Sequence, residues 1–200
     1  MTADNESSSP FLSPVVEQAF RFAARAHRDH FRKASDLPYV VHPAAVALIL
    51  QKAGVEDEEI LAAALLHDTV EDTEATIEDV ANEFHERVAR LVSAVTEEKR
   101  DGAGRKHSWE DRKQTHIDHL QNAEPDVCVI VLADKLHNLS SMLFDLQQGD
   151  ELWSIFGAPK QRIEWYHSSI IDAVSRDEPT NHRLVSECRR VLQQVVAFES

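Results

Sequence analysis

The sequence predicts an all-α protein built as a single helical-bundle domain. Three observations carry that expectation. The apolar runs are too long and too alanine-rich for strands, apolar residues recur at three- and four-residue intervals, and proline and glycine stand where helices begin and end. No repeat of solenoid period and no low-complexity linker divides the chain. At 200 residues it can bury a sizeable core, and 42% apolar with 28% charged residues suits a globular protein.

Residues 1–13 read as a disordered lead-in and 14–200 as the domain. The lead-in lacks the basic start and apolar core of a signal peptide, and no membrane span is read anywhere, so a cytoplasmic protein is expected. From Pro14, the spacing of Val16, Phe20, Ala23, Ala24 and His27 predicts a first helix to about His30, with His27 in a structural, hydrogen-bonded role on its inner face. Phe31 to Tyr39 is a loop, and its Arg32-Lys33 pair suits either solvent or a phosphate, arginine offering a fork and lysine a point charge. Pro43 fits a first helical position and Gly54 a stop, which puts His42 at the mouth of the second helix.

Asp57-Glu58-Glu59 opens the third helix, its acidic start complementing the helix dipole. Thr76 to Asp79 starts a short helix to Phe84, and Glu86 to Glu98 forms another with Val88, Leu91, Val92 and Val95 inward. Lys99 to His107 reads as a mobile loop without the glycine spacing of a phosphate cradle. Ser108 begins a helix to about Asn122, on which His116 and His119 read as surface for want of a partner carboxylate. Pro125 and Gly149 bound the next helix, and two more follow, Lys160 to Val174 and Asn181 to Phe198. Cys128 and Cys188 fall within apolar patterns, as buried thiols of a reducing compartment do.

Chemistry is written where the apolar runs stop. Ile60 to Leu66 is followed by His67-Asp68-Thr69-Val70-Glu71-Asp72, and carboxylates crowd unfavourably at the negative end of a helix dipole unless something compensates. If the helix continues, His67 and Glu71 lie one turn apart, as do Asp68 and Asp72, so four polar groups share a side. Val127 to Ala133 likewise stops at Asp134, with Asn138 one turn on, and a buried unpaired aspartate costs several kcal/mol. A cation held by His42, His67, Asp68 and Asp134 is the economical answer. Two nitrogens with two oxygens suit Mn²⁺, Fe²⁺, Co²⁺ or Zn²⁺ better than Ca²⁺. Glu71 and Asp72 would then orient or deprotonate water. A net charge of −14 argues against a generic nucleic-acid binder and leaves a small anionic ligand open.

The order His42, His67-Asp68, Asp134 resembles that of the metal ligands in HD-domain phosphohydrolases. Together with Arg32-Lys33, Pro38-Tyr39, His42-Pro43, Leu65 to Thr73 and Leu132 to Asn138, the chain is similar to the hydrolase domain of RelA/SpoT-type proteins and to the small alarmone hydrolases, from about Phe20 to Val174. The resemblance implies one Mn²⁺ and removal of the 3′-pyrophosphate from guanosine tetra- or pentaphosphate. It implies His42, His67, Asp68 and Asp134 as ligands and Glu71 and Asp72 as the catalytic pair. Arg32, Lys33, Lys135, Asn138 and Tyr166 would contact the substrate. Asp29-His30 and Ala34-Ser35 replace the Gly-Gln and Ser/Thr-Gly usual around the basic pair, and Val131 replaces a lysine. Adenosine alarmones, an NADPH-like nucleotide, or a catalytically silent nucleotide-binding module are the other readings. The expected partner is a small nucleotide, not nucleic acid or membrane, with homo-oligomerisation left open.

Overall fold

The computed structural model describes residues 12–33, 35–97, 108–149 and 159–198. These form ten helical segments: α1 Pro14–Ala26, α2 Val41–Ala53, α3 Glu58–Leu66, α4 Thr69–Asp72, α5 Ile77–Glu83, α6 Glu86–Val95, α7 Trp109–Leu120, α8 Pro125–Gln148, α9 Lys160–Ala173 and α10 Pro179–Ala197. Among the described residues there is no strand, only an isolated bridge between Phe31 and Pro38. The expected loop Lys99 to His107 and all but the end of the 1–13 lead-in lie outside the described residues.

Helix α3 is apolar on every side because it is packed on every side, by α1, α2, α6 and α8. All seven residues from Ile60 to Leu66 are buried. Each of its four large side chains contributes about 2 kcal/mol by leaving water. The Asp57 carboxylate caps its start, accepting the Glu59 and Ile60 N–H groups at 2.9 and 3.2 Å. Arg87 of α6 grips that same end, reaching Asp57 and Glu59 at 2.9 Å and Asp126 of α8 at 2.7 Å. One guanidinium thus fixes three helices around the end of α3 remote from His67. Helix α8 is long and apolar enough to cross a membrane, but half of its apolar window is buried inside the protein. It lies instead against α10, α2 and α6, with Cys128 and Cys188 among the buried, unpaired thiols of this core.

Several boundaries differ from expectation, among them the end of α7 at Leu120 rather than about Asn122. Helix α1 stops at Ala26 rather than His30, because the chain turns there: the Tyr39 N–H donates to the His30 carbonyl at 2.8 Å and that of Arg32 to Leu37 at 2.8 Å, folding the loop back on itself. Helix α2 starts at Val41, placing His42 inside its first turn rather than at its mouth. Helix α6 ends at Val95, three residues short of Glu98, and α10 starts two residues earlier than Asn181, at Pro179. Gly54 and Gly149, at φ 96° and 93°, close α2 and α8 in the left-handed conformation that a side chain resists. His27 is buried as expected, its Nδ1 3.3 Å from that of His30.

Candidate metal centre and active site

Continuation of the third helix through Asp72 does not occur. Helix α3 closes at Leu66, residues 67 and 68 form a turn, and the single-turn α4 follows. Local bonds hold this break. The Thr69 hydroxyl donates to the Leu66 carbonyl at 2.6 Å, and His67 Nδ1 lies 2.8 Å from the Ala64 carbonyl. With Nδ1 committed to the backbone, Nε2 of His67 points onward. The four polar groups, expected on one side of a continued helix, are instead brought to one pocket by this turn, which His67, Asp68, Glu71 and Asp72 all line.

Helices α2, α3 and α8 bring the expected ligands together. Potential ligand atoms of His42, His67 and Asp134 lie within 4.8 Å of one another. Asp68 Oδ2 stands 3.4 Å from His42 Nε2 and 3.1 Å from His67 Nε2, and Asp134 Oδ1 stands 3.2 and 3.9 Å from the same two nitrogens. Both imidazoles are buried, at 1% and 5% exposure. His67 Nε2 makes no well-aligned hydrogen bond despite its neighbours, so a buried ring nitrogen faces two carboxylates and a second imidazole. A divalent cation fits that donor set.

Electrostatics agree. Burial opposes charge on His67, yet Asp68 and then Asp134 outweigh it and lift the imidazole to about 9. Burial would raise Asp68 and Asp134, but the imidazoles around Asp68, and Lys135 with the imidazoles around Asp134, hold both carboxyls far below the usual range. The pair of carboxylates stays ionised and asks for positive charge.

Glu71 and Asp72 are supported from two directions. The backbone N–H of Glu97 donates to Glu71 Oε2 at 3.3 Å. The Tyr39 hydroxyl donates to Asp68 Oδ2 at 2.7 Å and lies 3.4 Å from Asp72 Oδ2, which couples a candidate ligand to a candidate catalytic residue. Burial and then Asp68 push the Tyr39 hydroxyl far above its ordinary range, keeping it a donor.

The expected substrate contacts divide. Lys135, Asn138 and Tyr166 line the pocket, whereas Arg32 reaches it through Asn138, its Nη2 donating to Oδ1 at 3.3 Å. Asn138 in turn donates to Asp134 Oδ1 at 2.6 Å. Lys33 is exposed and does not line the pocket. His116, expected at the surface, is buried in the pocket wall, because α7 turns its Lys113, His116, Ile117 and Leu120 stripe inward; His119 is exposed as expected. Burial and the nearby Lys135 push His116 down to about 4. Sequence reasoning also missed Glu97, Lys113 and His137. The position of His137 three residues after Asp134 was the signal for that residue, whereas the polar helix α7 gave almost none for Lys113 or His116.

The pocket is about 150 Å³, roughly five waters' worth, and smaller than the cavities that enclose whole nucleotide-sized ligands. A ligand of nucleotide size would place only a small group inside it, with the rest lying outside.

Residues 19–152 match the HD domain family. The human guanosine-3′,5′-bis(diphosphate) 3′-pyrophosphohydrolase MESH1 is 35% identical over 88% of this chain and 92% of its own length. A probable GTP pyrophosphokinase of Mycobacterium leprae is 38% identical over 72% of this chain but only 20% of that longer protein. Among solved structures, a metazoan ortholog of SpoT described as hydrolysing ppGpp superposes with a TM-score of 0.76 and 31% identity, covering 93% of this chain and 98% of that one.

Proposed function

The chain belongs to the HD domain family, and we propose that it removes the 3′-pyrophosphate of guanosine tetra- and pentaphosphate, leaving GDP or GTP. The observation that carries this reading is the convergence of His42, His67, Asp68 and Asp134 on one pocket that Glu71 and Asp72 also line. In this reading those first four hold one divalent cation, Mn²⁺ as the family resemblance implies, in a donor set that equally suits Fe²⁺, Co²⁺ or Zn²⁺. Such a cation supplies Lewis-acid polarisation of a phosphoryl oxygen and lowers the pKa of a nearby water.

The chain's own residues do the rest. Glu71, oriented by the Glu97 amide, takes a proton from the attacking water, and Asp72, set beside the Tyr39 hydroxyl, fixes that water's direction. The water oxygen joins the phosphorus, the bond from phosphorus to the ribose 3′-oxygen breaks, and that oxygen takes a proton from solvent as pyrophosphate departs, while Glu71 returns its own proton to solvent. Arg32 and Lys33 hold the part of the nucleotide that lies outside the small pocket, and Lys135, Asn138 and Tyr166 form the wall that its reacting end meets. Arg32 also lies 5.7 Å from the Tyr39 ring centroid, so the basic pair approaches the centre on the Tyr39 side. Two buried thiols fit a reducing, cytoplasmic setting.

Purified protein loaded with Mn²⁺ and offered guanosine and adenosine 3′-pyrophosphorylated nucleotides and NADPH should release pyrophosphate from the guanosine substrates first, as identified by product mass. Preference for adenosine or NADPH would replace the substrate. No turnover of any of them would leave a binding module.

A further inference from the structure

Beyond the groups assigned above, the pocket has a second charged wall. Its lining holds five carboxylates, Asp68, Glu71, Asp72, Glu97 and Asp134, against the two ammonium groups of Lys113 and Lys135. A divalent cation leaves that lining with an excess of negative charge, so an incoming polyphosphate needs every positive group it can reach. Lys135 is committed, its Nζ 2.7 Å from Oδ2 of the ligand Asp134. Lys113 is held differently. Its Nζ lies 2.5 Å from Glu97 Oε2 and 4.5 Å from the Tyr166 ring centroid, while Arg112 Nη1 stands 3.0 Å from the other oxygen, Glu97 Oε1.

Glu97 is 5% exposed and faces two cations, and its Oε1 lacks a well-aligned hydrogen bond despite Arg112. If the Lys113 ammonium turned toward an anion in the pocket, Glu97 would keep Arg112 and would not be left as an unpaired buried charge. Lys135 has no such freedom without disturbing Asp134. Residue 97 also connects the two sides of the pocket, its amide holding Glu71 and its carboxylate holding Lys113.

We propose that Lys113 is a substrate-binding residue that takes the pyrophosphoryl end of the nucleotide and retains the departing pyrophosphate, with Glu97 as the positioning residue that holds the ammonium in reserve. The proposal rests on the phosphohydrolase reading above and concerns its leaving group. Val131, which lines the same pocket, offers no charge to share the task.

Inorganic pyrophosphate, bound to the Mn²⁺-loaded protein and followed by equilibrium dialysis with metal content measured alongside, tests the wall independently of any nucleotide. Lys113→Met keeps the apolar stem over Tyr166 and should weaken pyrophosphate binding about tenfold or more, with Lys113→Arg restoring most of it. Glu97→Gln keeps the shape but removes the competing charge, and should tighten binding several-fold. Opposite signs for these two variants support the proposal, since damage to a purely structural ion pair weakens binding in both. Equal weakening in both, or pyrophosphate bound by Lys113→Met as by wild type, would overturn it. If guanosine tetraphosphate is not cleaved while the opposite signs hold, the substrate reading fails and the pyrophosphate wall stands.

Discussion

The Nδ1 atoms of His42 and His137 stand 2.7 Å apart, so one nitrogen donates a proton to the other's lone pair. Burial, then His42 and Arg32, push His137 down to about 4, which leaves it neutral at pH 7. His42 turns its Nε2 toward Asp68 and Asp134, and a neutral imidazole that coordinates through Nε2 carries its proton on Nδ1. In the proposed metal-bound form His137 is therefore the acceptor that would fix the tautomer of His42. His137→Ala should lower Mn²⁺ affinity by roughly ten- to a hundredfold, and His137→Asn, with an amide oxygen near the Nδ1 position, should recover part of it. Calorimetric titration of chelator-stripped protein measures both. An affinity unchanged in His137→Ala would remove its orienting role.

One tightly held divalent cation per chain is expected, and His67→Ala or Asp134→Ala should abolish it. Asp68 and Asp134 face each other across two imidazoles, so stripping the metal should also lower the melting temperature, by an amount that grows with the logarithm of the ratio of free metal to its dissociation constant. Elemental analysis of folded protein purified without chelator decides the first point, and a thermal scan with and without excess chelator the second.

Much of this centre was legible because burial and charge conflict locally. Ile60 to Leu66 and Val127 to Ala133 can only be buried, so the polar residues that end them must have partners, and His67, Asp68 and Asp134 follow from that alone. The break between α3 and α4 was not legible, because Thr69 returning its hydroxyl to Leu66 competes with helix continuation by only a few tenths to about 1 kcal/mol. His116 was misread for a different reason. Helix α7 is polar almost all round, so its inward stripe is decided by contact with α9, a tertiary choice that its own residues barely encode.

Arg32 and Lys33 should bind ligand rather than support the fold. Arg32 contributes one long hydrogen bond to Asn138 at 3.3 Å, and Lys33 is exposed. Replacing both by alanine should cost at most about 1 kcal/mol of stability while raising KM several-fold with little change in kcat. Collapse of thermal stability in the double variant would mark the pair as structural.

Acid should destabilise the protein through two histidines remote from the ligands in sequence. Burial and then Lys135 hold His116 down at about 4 and His167 at about 3, against about 6.5 for an unfolded histidine. Above 6.5 both states are neutral and these groups contribute no pH dependence. As pH falls below it, the unfolded chain takes up protons that the folded chain refuses, so stability drops until pH reaches the folded values. Each site is worth on the order of 3 kcal/mol over that window. Denaturant midpoints between pH 7 and 4 should fall less steeply in His116→Gln and His167→Gln than in wild type. Parallel curves would show that both rings are protonated in the folded state.

Glu71 and Asp72 carry the prediction that bears most directly on mechanism. Both line the pocket, Glu71 accepting from the Glu97 amide and Asp72 lying 3.4 Å from the Tyr39 hydroxyl that donates to Asp68. Glu71→Gln preserves volume and can still accept from the Glu97 amide, but it cannot take a proton from water. Single-turnover rates should therefore fall by roughly a hundredfold or more, with metal content and nucleotide affinity close to wild type. Asp72→Asn should fall less, because a side-chain amide still orients water. Tyr39→Phe separates the two effects: it releases Asp72 and Asp68 together, so it should lower both turnover and metal affinity, which Glu71→Gln should not. Wild-type turnover in both Glu71→Gln and Asp72→Asn would make the carboxylates bystanders and return the whole of the proton transfer to the ligand cluster.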